Sequence, residues 1–182
     1  METNLCVAGF GGQGVMSLGK FLADATCNST DKNVTFFPSY GAEQRGGTAN
    51  CFVVISDEAI GAPVGDIMDD LIVMNEASLN RFLSRLRKGG RLFINSSIVT
   101  GEVYRKDVTV VRAPVTDLAL EIGNAKVLNV IMLGVYVGYT ELIAPEIVWD
   151  TIAHKLREKA NLLPLNRQAF ERGLELGREM RI

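Results

Sequence analysis

Leu5-Cys-Val-Ala-Gly-Phe-Gly-Gly-Gln-Gly-Val-Met-Ser-Leu18 is the stretch on which the fold turns. Leu5 to Ala8 is a short apolar run that stops at glycines, and it reads as a buried strand. From Val15 the apolar residues recur at Leu18, Leu22 and Ala25, a helical spacing that holds to Cys27. Between the two, Gly9, Gly11 and Gly14 fit G-x-G-x-x-G at the strand-to-helix junction where a phosphate-binding loop belongs. Glycines let the backbone approach an anion, and a helix N-terminus offers unpaired N–H groups and about half a positive charge. Gly9, Gly11, Gly12, Gln13 and Gly14 are therefore candidate phosphate-binding residues; a glycine-rich turn that binds nothing is the alternative. An NAD dehydrogenase would also place an acid at the end of the second strand, about 20 residues on. That strand ends Phe36-Phe37-Pro38, with Asp31 before it and Glu43 well beyond, so NAD is disfavoured.

Outward from the glycine segment, strands are expected at Val34–Phe37, closed by Pro38, at Ala49–Ile55, Leu71–Met74, Arg91–Ile94 and Val108–Val111. A helix is expected over Glu76–Leu86, with Gly89-Gly90 as its C-terminal stop. Helices then start at Thr116-Asp117 and run over Lys126–Tyr139, Pro145–Leu156 and Leu165–Met180. Alternating β and α with a helical C-terminal part predicts an α/β three-layer α/β/α sandwich with a Rossmann-like, mostly parallel sheet. Strands two and three are joined by a loop, so the sheet should be mixed. The chain has 182 residues with no repeat and no low-complexity linker, which predicts a single domain over 1–182. Gly134 and Gly138, four apart in an apolar helix, permit close helix approach inside the domain or between subunits.

The formal charge is −2, which gives no electrostatic reason to expect nucleic acid. The charge is unevenly spread: residues 1–80 carry 3 basic and 10 acidic side chains, residues 81–182 carry 16 and 11. That asymmetry favours a protein partner. Residues 1–8 show no basic start and no long apolar core. Val127–Tyr139 is too short to span a bilayer. Neither points to a membrane. Cys6, Cys27 and Cys51 form no CxxC pair, so a cytoplasmic location is expected and neither an iron–sulfur cluster nor a structural zinc. His154 stands alone, without a carboxylate or cysteine at metal spacing, and reads as a structural helix residue.

Ser39-Tyr40-Gly41-Ala42-Glu43-Gln44-Arg45-Gly46-Gly47-Thr48 is the second segment with chemistry in it. A loop with an aromatic, both signs of charge and three glycines is costly to order without a task. Arg45 beside Gly46-Gly47 suits a phosphate or carboxylate, with Glu43 orienting it or pairing with another chain; the bland alternative is an exposed Glu–Arg pair worth little. Arg81, Arg85 and Lys88 fall at i, i+4 and i+7, on one face of the expected helix, with Phe82, Leu83 and Leu86 on the core side. That face is either merely solvated or a docking surface for an acidic partner. Asn95-Ser96-Ser97 follows a buried strand at the edge where open α/β sheets bind ligands, unless it is a simple turn. No residue reads as a nucleophile or general base.

Together, Gly9–Gly14, Ser39-Tyr-Gly-Ala-Glu-Gln-Arg-Gly-Gly-Thr-Ala-Asn50 and Gly89-Gly-Arg-Leu-Phe-Ile-Asn-Ser-Ser97 resemble one family, the gamma subunits of the 2-oxoacid:ferredoxin oxidoreductases. The resemblance runs from about Leu5 to Gly173. Thr48-Ala-Asn-Cys51 looks most like the 2-oxoglutarate or branched-chain members, the first being the expected substrate. The resemblance implies a multi-subunit enzyme that oxidatively decarboxylates a 2-oxoacid, forms acyl-CoA and reduces ferredoxin. It implies thiamine diphosphate, magnesium and 4Fe–4S clusters on partner subunits (alpha, beta and a ferredoxin-like delta), and coenzyme A handled by this chain. Carried over by position, Gly9, Gly11, Gly12, Gln13 and Gly14 would meet the CoA diphosphate with Arg45 and Asn95 beside them. Tyr40, Gly41, Glu43, Gly46 and Gly47 would form a site or partner loop. The pyruvate enzymes carry lysines where this chain has Glu43, Gln44 and Arg45, so the alternative to a CoA contact is that Arg45 closes the site or touches the thiamine-binding subunit. The rival expectations are a non-catalytic scaffold subunit and a free-standing nucleotide-binding α/β protein.

Overall fold

The computed structural model describes residues 1–40 and 47–181. In chain order the elements are β1 (Glu2–Phe10), α1 (Val15–Ser29), β2 (Asn33–Tyr40), β3 (Thr48–Ser56), β4 (Met68–Val73), α2 (Glu76–Phe82), β5 (Leu86–Asn95), β6 (Thr109–Ala113), α3 (Val115–Ile122), α4 (Leu128–Thr140), α5 (Pro145–Lys155) and α6 (Leu163–Glu179). The strands form one sheet in the order β2-β3-β1-β4-β5-β6. From β1 through β6 the pairing is parallel. On the other side β3 runs antiparallel to both β1 and β2. The sheet is mixed because a hairpin, not a crossover helix, joins β2 to β3.

Period-two alternation sorts β1 onto two faces. Leu5 and Val7 point to a first face shared with Ala49, Cys51, Val53, Ile72 and Phe93, covered by α1 and by residues of α3 to α6. Cys6 and Ala8 point to a second face with Phe52, Leu71, Val73, Leu92 and Ile94, packed under Leu79 and Phe82 of α2. The first face is sealed by close helix packing. Gly134 and Gly138 of α4 lie against Gly173 and Gly177 of α6, and a Cβ on any of the four would meet the backbone of the other helix. The glycine spacing seen in the sequence thus serves packing inside the chain. Across the same layer, Asp70 accepts two bonds from Arg91, Nε at 2.6 Å and Nη2 at 2.7 Å, and a third from the Tyr136 hydroxyl at 2.7 Å. Burial and the Asp70 carboxylate hold the Tyr136 phenol well above its ordinary range, so it stays a donor.

Three boundaries differ from the expectation. Pro38 does not close the second strand, which runs on to Tyr40; β2 is an edge strand, where a residue without an N–H is tolerated. The helix after β4 ends at Phe82, a single 3-10 turn follows, and β5 already begins at Leu86. Gly89-Gly90 is therefore an irregularity within β5, not a helix stop. Gly89 has φ +74, and the β4–β5 pairing shifts between Met68 and Asp70. A Cβ at Gly90 would lie 2.9 Å from the Asp69 carbonyl. Lys88 consequently belongs to a strand and shares no helix face with Arg81. Local hydrophobic spacing over Glu76–Leu86 suits a helix, but pairing of Leu86 with Met68 wins the end of the segment for the sheet.

Candidate functional site

At the carboxyl edge of the sheet, β1 ends at Phe10, β4 at Val73, β5 at Asn95 and β6 at Ala113, while the hairpin brings Tyr40 and Thr48 to the same edge. The glycine segment crosses this edge from β1 into α1. Gln13 holds it in shape. Its Oε1 accepts from the Phe10 N–H at 2.7 Å and from Asn75 Nδ2 at 3.2 Å, and its Nε2 donates to the Met74 carbonyl at 3.0 Å. The Gly11 N–H donates to the Gly47 carbonyl at 3.1 Å, tying the loop to the start of β3. The Gly14 carbonyl accepts from the Leu18 N–H at 3.0 Å and from Asn129 Nδ2 at 3.2 Å, so the start of α4 leans on the loop.

The four glycines are there for different reasons. A Cβ at Gly9 would lie 2.6 Å from Gln13 Oε1 and 2.9 Å from Val15 Cγ1. At Gly14, φ is +72 and a Cβ would sit 2.5 Å from Asn129 Nδ2. Gly12 has φ +94, and no atom of the described residues lies within 4 Å of an added Cβ. Gly11 has neither reason: its φ is ordinary and, among the described residues, the nearest atom to an added Cβ is the Gly47 carbonyl at 4.0 Å. Both Gly11 and Gly12 are exposed. The helix that follows has no side-chain cap and no acid in its first turn, so nothing in α1 itself neutralises the positive end of its dipole.

Other residues singled out in the sequence fall around this loop in different ways. Asn95 is fully buried. Its Nδ2 donates to Thr116 Oγ1 at 2.9 Å, and its Oδ1 has no partner among the described residues. It supports the start of α3 and offers no atom to solvent, so its place as a direct diphosphate neighbour does not follow from the structure. Ser97 Oγ accepts from the Asp117 N–H at 3.0 Å and caps α3. Tyr40 is exposed beside the edge. Gly41, Glu43, Arg45 and Gly46 lie outside the described residues. His154 is exposed on α5. Asn75 and Asn129 were not foreseen. Asn75 is the N-cap of α2, accepting from the Ser78 N–H at 2.8 Å, and an Asn just ahead of Glu-Ala-Ser is a capping signal. Asn129 reaches Gly14 across more than a hundred residues, and no local pattern marks it.

Cys51 lies beneath the start of α1, its Sγ donating to the Val15 carbonyl at 3.5 Å. Burial pushes its thiol up to about 12, so it is a neutral packing residue and no nucleophile. Cys6 is buried, its side chain on the opposite face of the sheet, and Cys27 is exposed. These cysteines do not converge. Among the described residues no three His, Cys, Asp or Glu side chains are grouped to hold a metal ion. Among the described residues no helix is long and apolar enough to cross a membrane.

A mixed, Rossmann-like sheet with a glycine-lined, uncapped helix start at its carboxyl edge defines the α/β class of protein. The particular family follows from comparison: residues 4–176 match the family model of pyruvate ferredoxin/flavodoxin oxidoreductase. The chain belongs to that family. It is 37% identical over 180 residues to ketoisovalerate oxidoreductase subunit VorA of Methanothermobacter thermautotrophicus, covering 98% of this chain and 37% of the relative. The chain thus spans little more than a third of that relative's length. It is 31% identical over 186 residues to 2-oxoglutarate synthase subunit KorC of Methanocaldococcus jannaschii, covering 99% and 96%. Among solved structures, the gamma subunit of a keto/oxoacid ferredoxin oxidoreductase from Geobacter sulfurreducens superposes with TM-score 0.87 at 24% identity, covering 99% of this chain and 98% of that one. The 2-oxoglutarate:ferredoxin oxidoreductase of Magnetococcus marinus, with 2-oxoglutarate, coenzyme A and succinyl-CoA bound, superposes with TM-score 0.91 at 23% identity, covering 98% of this chain and 31% of that one.

Proposed function

We propose that this chain is the gamma subunit of a cytoplasmic 2-oxoacid:ferredoxin oxidoreductase and that its glycine loop receives the diphosphate of coenzyme A. Gly11 carries the reading. Packing explains Gly9 and Gly14, and backbone conformation explains Gly12 and Gly14, but an exposed glycine with ordinary φ and open space is explained by close approach of something outside the chain. The uncapped start of α1 supplies the complementary charge. The likeness to a structure with coenzyme A bound supports the choice of anion. The reaction joins a 2-oxoacid, CoA and two oxidised ferredoxins to give acyl-CoA, carbon dioxide, two reduced ferredoxins and a proton. Thiamine diphosphate, magnesium and 4Fe–4S clusters belong on alpha, beta and delta partners, and this chain contributes proximity and orientation of the thiol-bearing acceptor. Asn95 and Thr116 support the edge from within, and Arg45 is the candidate side-chain contact from the hairpin. Relatives named for ketoisovalerate and for 2-oxoglutarate make these the first two acids to assay.

The test is the complex carrying Gly11→Ala, assayed by CoA-dependent viologen reduction with 2-oxoglutarate, 2-oxoisovalerate and pyruvate. The fold should tolerate the methyl within about 0.5 kcal/mol, while the apparent KM for CoA rises at least about tenfold, the effect of losing roughly 1.4 kcal/mol of binding. An unchanged KM would leave the loop as a turn and the chain as a scaffold without ligand.

A further inference from the structure

The two faces of the sheet are covered very unequally. On the first face α1 packs along β1, β2 and β3, whereas on the second the short α2 packs on β4 and β1. The β2 side of that second face is left with an exposed aromatic. Phe37 stands opposite Phe52 in the β2–β3 pairing and is 46% exposed, although its neighbour Phe36, on the α1 side, is half-buried under the Lys20 ammonium at 5.9 Å. Phe10, at the end of β1 on the same face, is 40% exposed. Beside them two guanidinium groups lie over rings: Arg85 over Phe52 at 5.3 Å and Arg81 over Phe82 at 5.1 Å.

The charges on this face are unbalanced. Arg87, Arg91 and Arg105, close by in the chain, each pair with a carboxylate. Among the described residues Arg81 and Arg85 do not. Arg81 reaches only the Thr48 hydroxyl, at 3.3 Å, and Arg85 only the carbonyls of Gly65 and Asp66, at 2.9 and 3.0 Å. A planar cation preorganised on an aromatic ring, with donors to spare and an exposed phenyl beside it, is the composition of an interface anchor. A two-fold contact with a second copy would set this cationic patch against itself, which disfavours self-association here.

We infer that the open half of the second face, from Phe37 to Arg81, is the surface on which a partner subunit of the oxidoreductase docks, presenting a carboxylate to Arg81 and an apolar side chain to Phe37. The inference rests on the multi-subunit reading above. It is tested by co-expressing the full chain with its partner subunits and measuring the mass of the assembly by light scattering on a sizing column. Phe37→Asp and Arg81→Glu each lower the assembled fraction at least tenfold at equal concentration, with unchanged circular dichroism and melting. Leu120→Asp, on the exposed side of α3 and 61% exposed in the wild type, leaves assembly intact, as does Gly11→Ala. Arg81→Gln, which removes charge without reversing it, gives an intermediate loss whose gap from wild type narrows as salt screens the wild-type ion pair. Wild-type assembly by Phe37→Asp and Arg81→Glu would overturn this surface and leave the enzyme reading standing. A homodimer that these variants dissolve would instead make a second copy the occupant. A wild-type chain that joins no thiamine-bearing partner would remove the enzyme reading, and this inference with it.

Discussion

Gln13 shows how one amide can organise a loop made mostly of residues without side chains. It closes a bond to the Phe10 N–H, another to Asn75 and a third to the Met74 carbonyl, so it pins the glycine segment to the end of β4. Gln13→Ala should therefore cost about 1–3 kcal/mol of stability, the range for several lost side-chain bonds partly replaced by water, and should raise the KM for CoA more than it lowers kcat. Thermal melting and steady-state kinetics of the complex check both. A stable variant with loosened CoA binding would place the effect in loop geometry. In the sequence Gln13 was legible only as a member of the loop; that its amide is turned inward depends on Asn75, 62 positions away.

At the scale of elements, the contact of α4 with α6 is the most exacting in the molecule. Gly173 faces the Ile131 carbonyl so closely that a methyl has no room, and it lies 3.0 Å from Gly134 Cα when a Cβ is built on it. Gly173→Ala should destabilise the chain by about 1–3 kcal/mol, the cost of forcing a well-packed contact apart. Gly61→Ala, at a loop position with nothing within 4 Å of an added Cβ, should change stability by less than about 0.5 kcal/mol. Urea midpoints at constant slope would distinguish the two. The Gly134–Gly138 spacing announced a close helix approach from sequence, yet the partner helix was unnamed because its own glycines are far along the chain. The reverse failure occurred at Glu76–Leu86, where a helical pattern outruns the helix because β4 recruits Leu86.

For the molecule as a whole, the two buried thiols and Tyr136 make the native state hold protons that the unfolded chain releases. Burial raises Cys51 to about 12 and raises Cys6 as well; burial and Asp70 raise Tyr136. A group whose folded pKa is raised contributes stability that is complete below its unfolded pKa, about 8.5 for a thiol, and is lost as pH climbs toward the folded value. Stability should thus be flat in this respect to about pH 8 and fall above it, by about 2 kcal/mol per buried thiol at pH 10, from 1.36 kcal/mol per pH unit. Urea unfolding of the full chain at pH 7.5 and pH 10 measures the fall. Cys51→Ala should reduce it by about half, since Cys6 remains. An alkaline fall that is unchanged in Cys51→Ala would mean that other groups govern it.

What the order of residues determined by itself was local: a β-strand running into a glycine turn and a helix, alternating strand and helix signals, and a family resemblance that comparison bears out. Each rests on contacts between residues a few positions apart, so periodicity and turn chemistry report them directly. Tertiary structure alone decided that Gln13 and Asn95 turn inward, that Gly89-Gly90 sits inside a strand, and that Phe37 and Arg81 share an uncovered face. Those outcomes depend on which segments pair across the sheet. A one-residue change of register in β2 would have sent Phe37 to the other face.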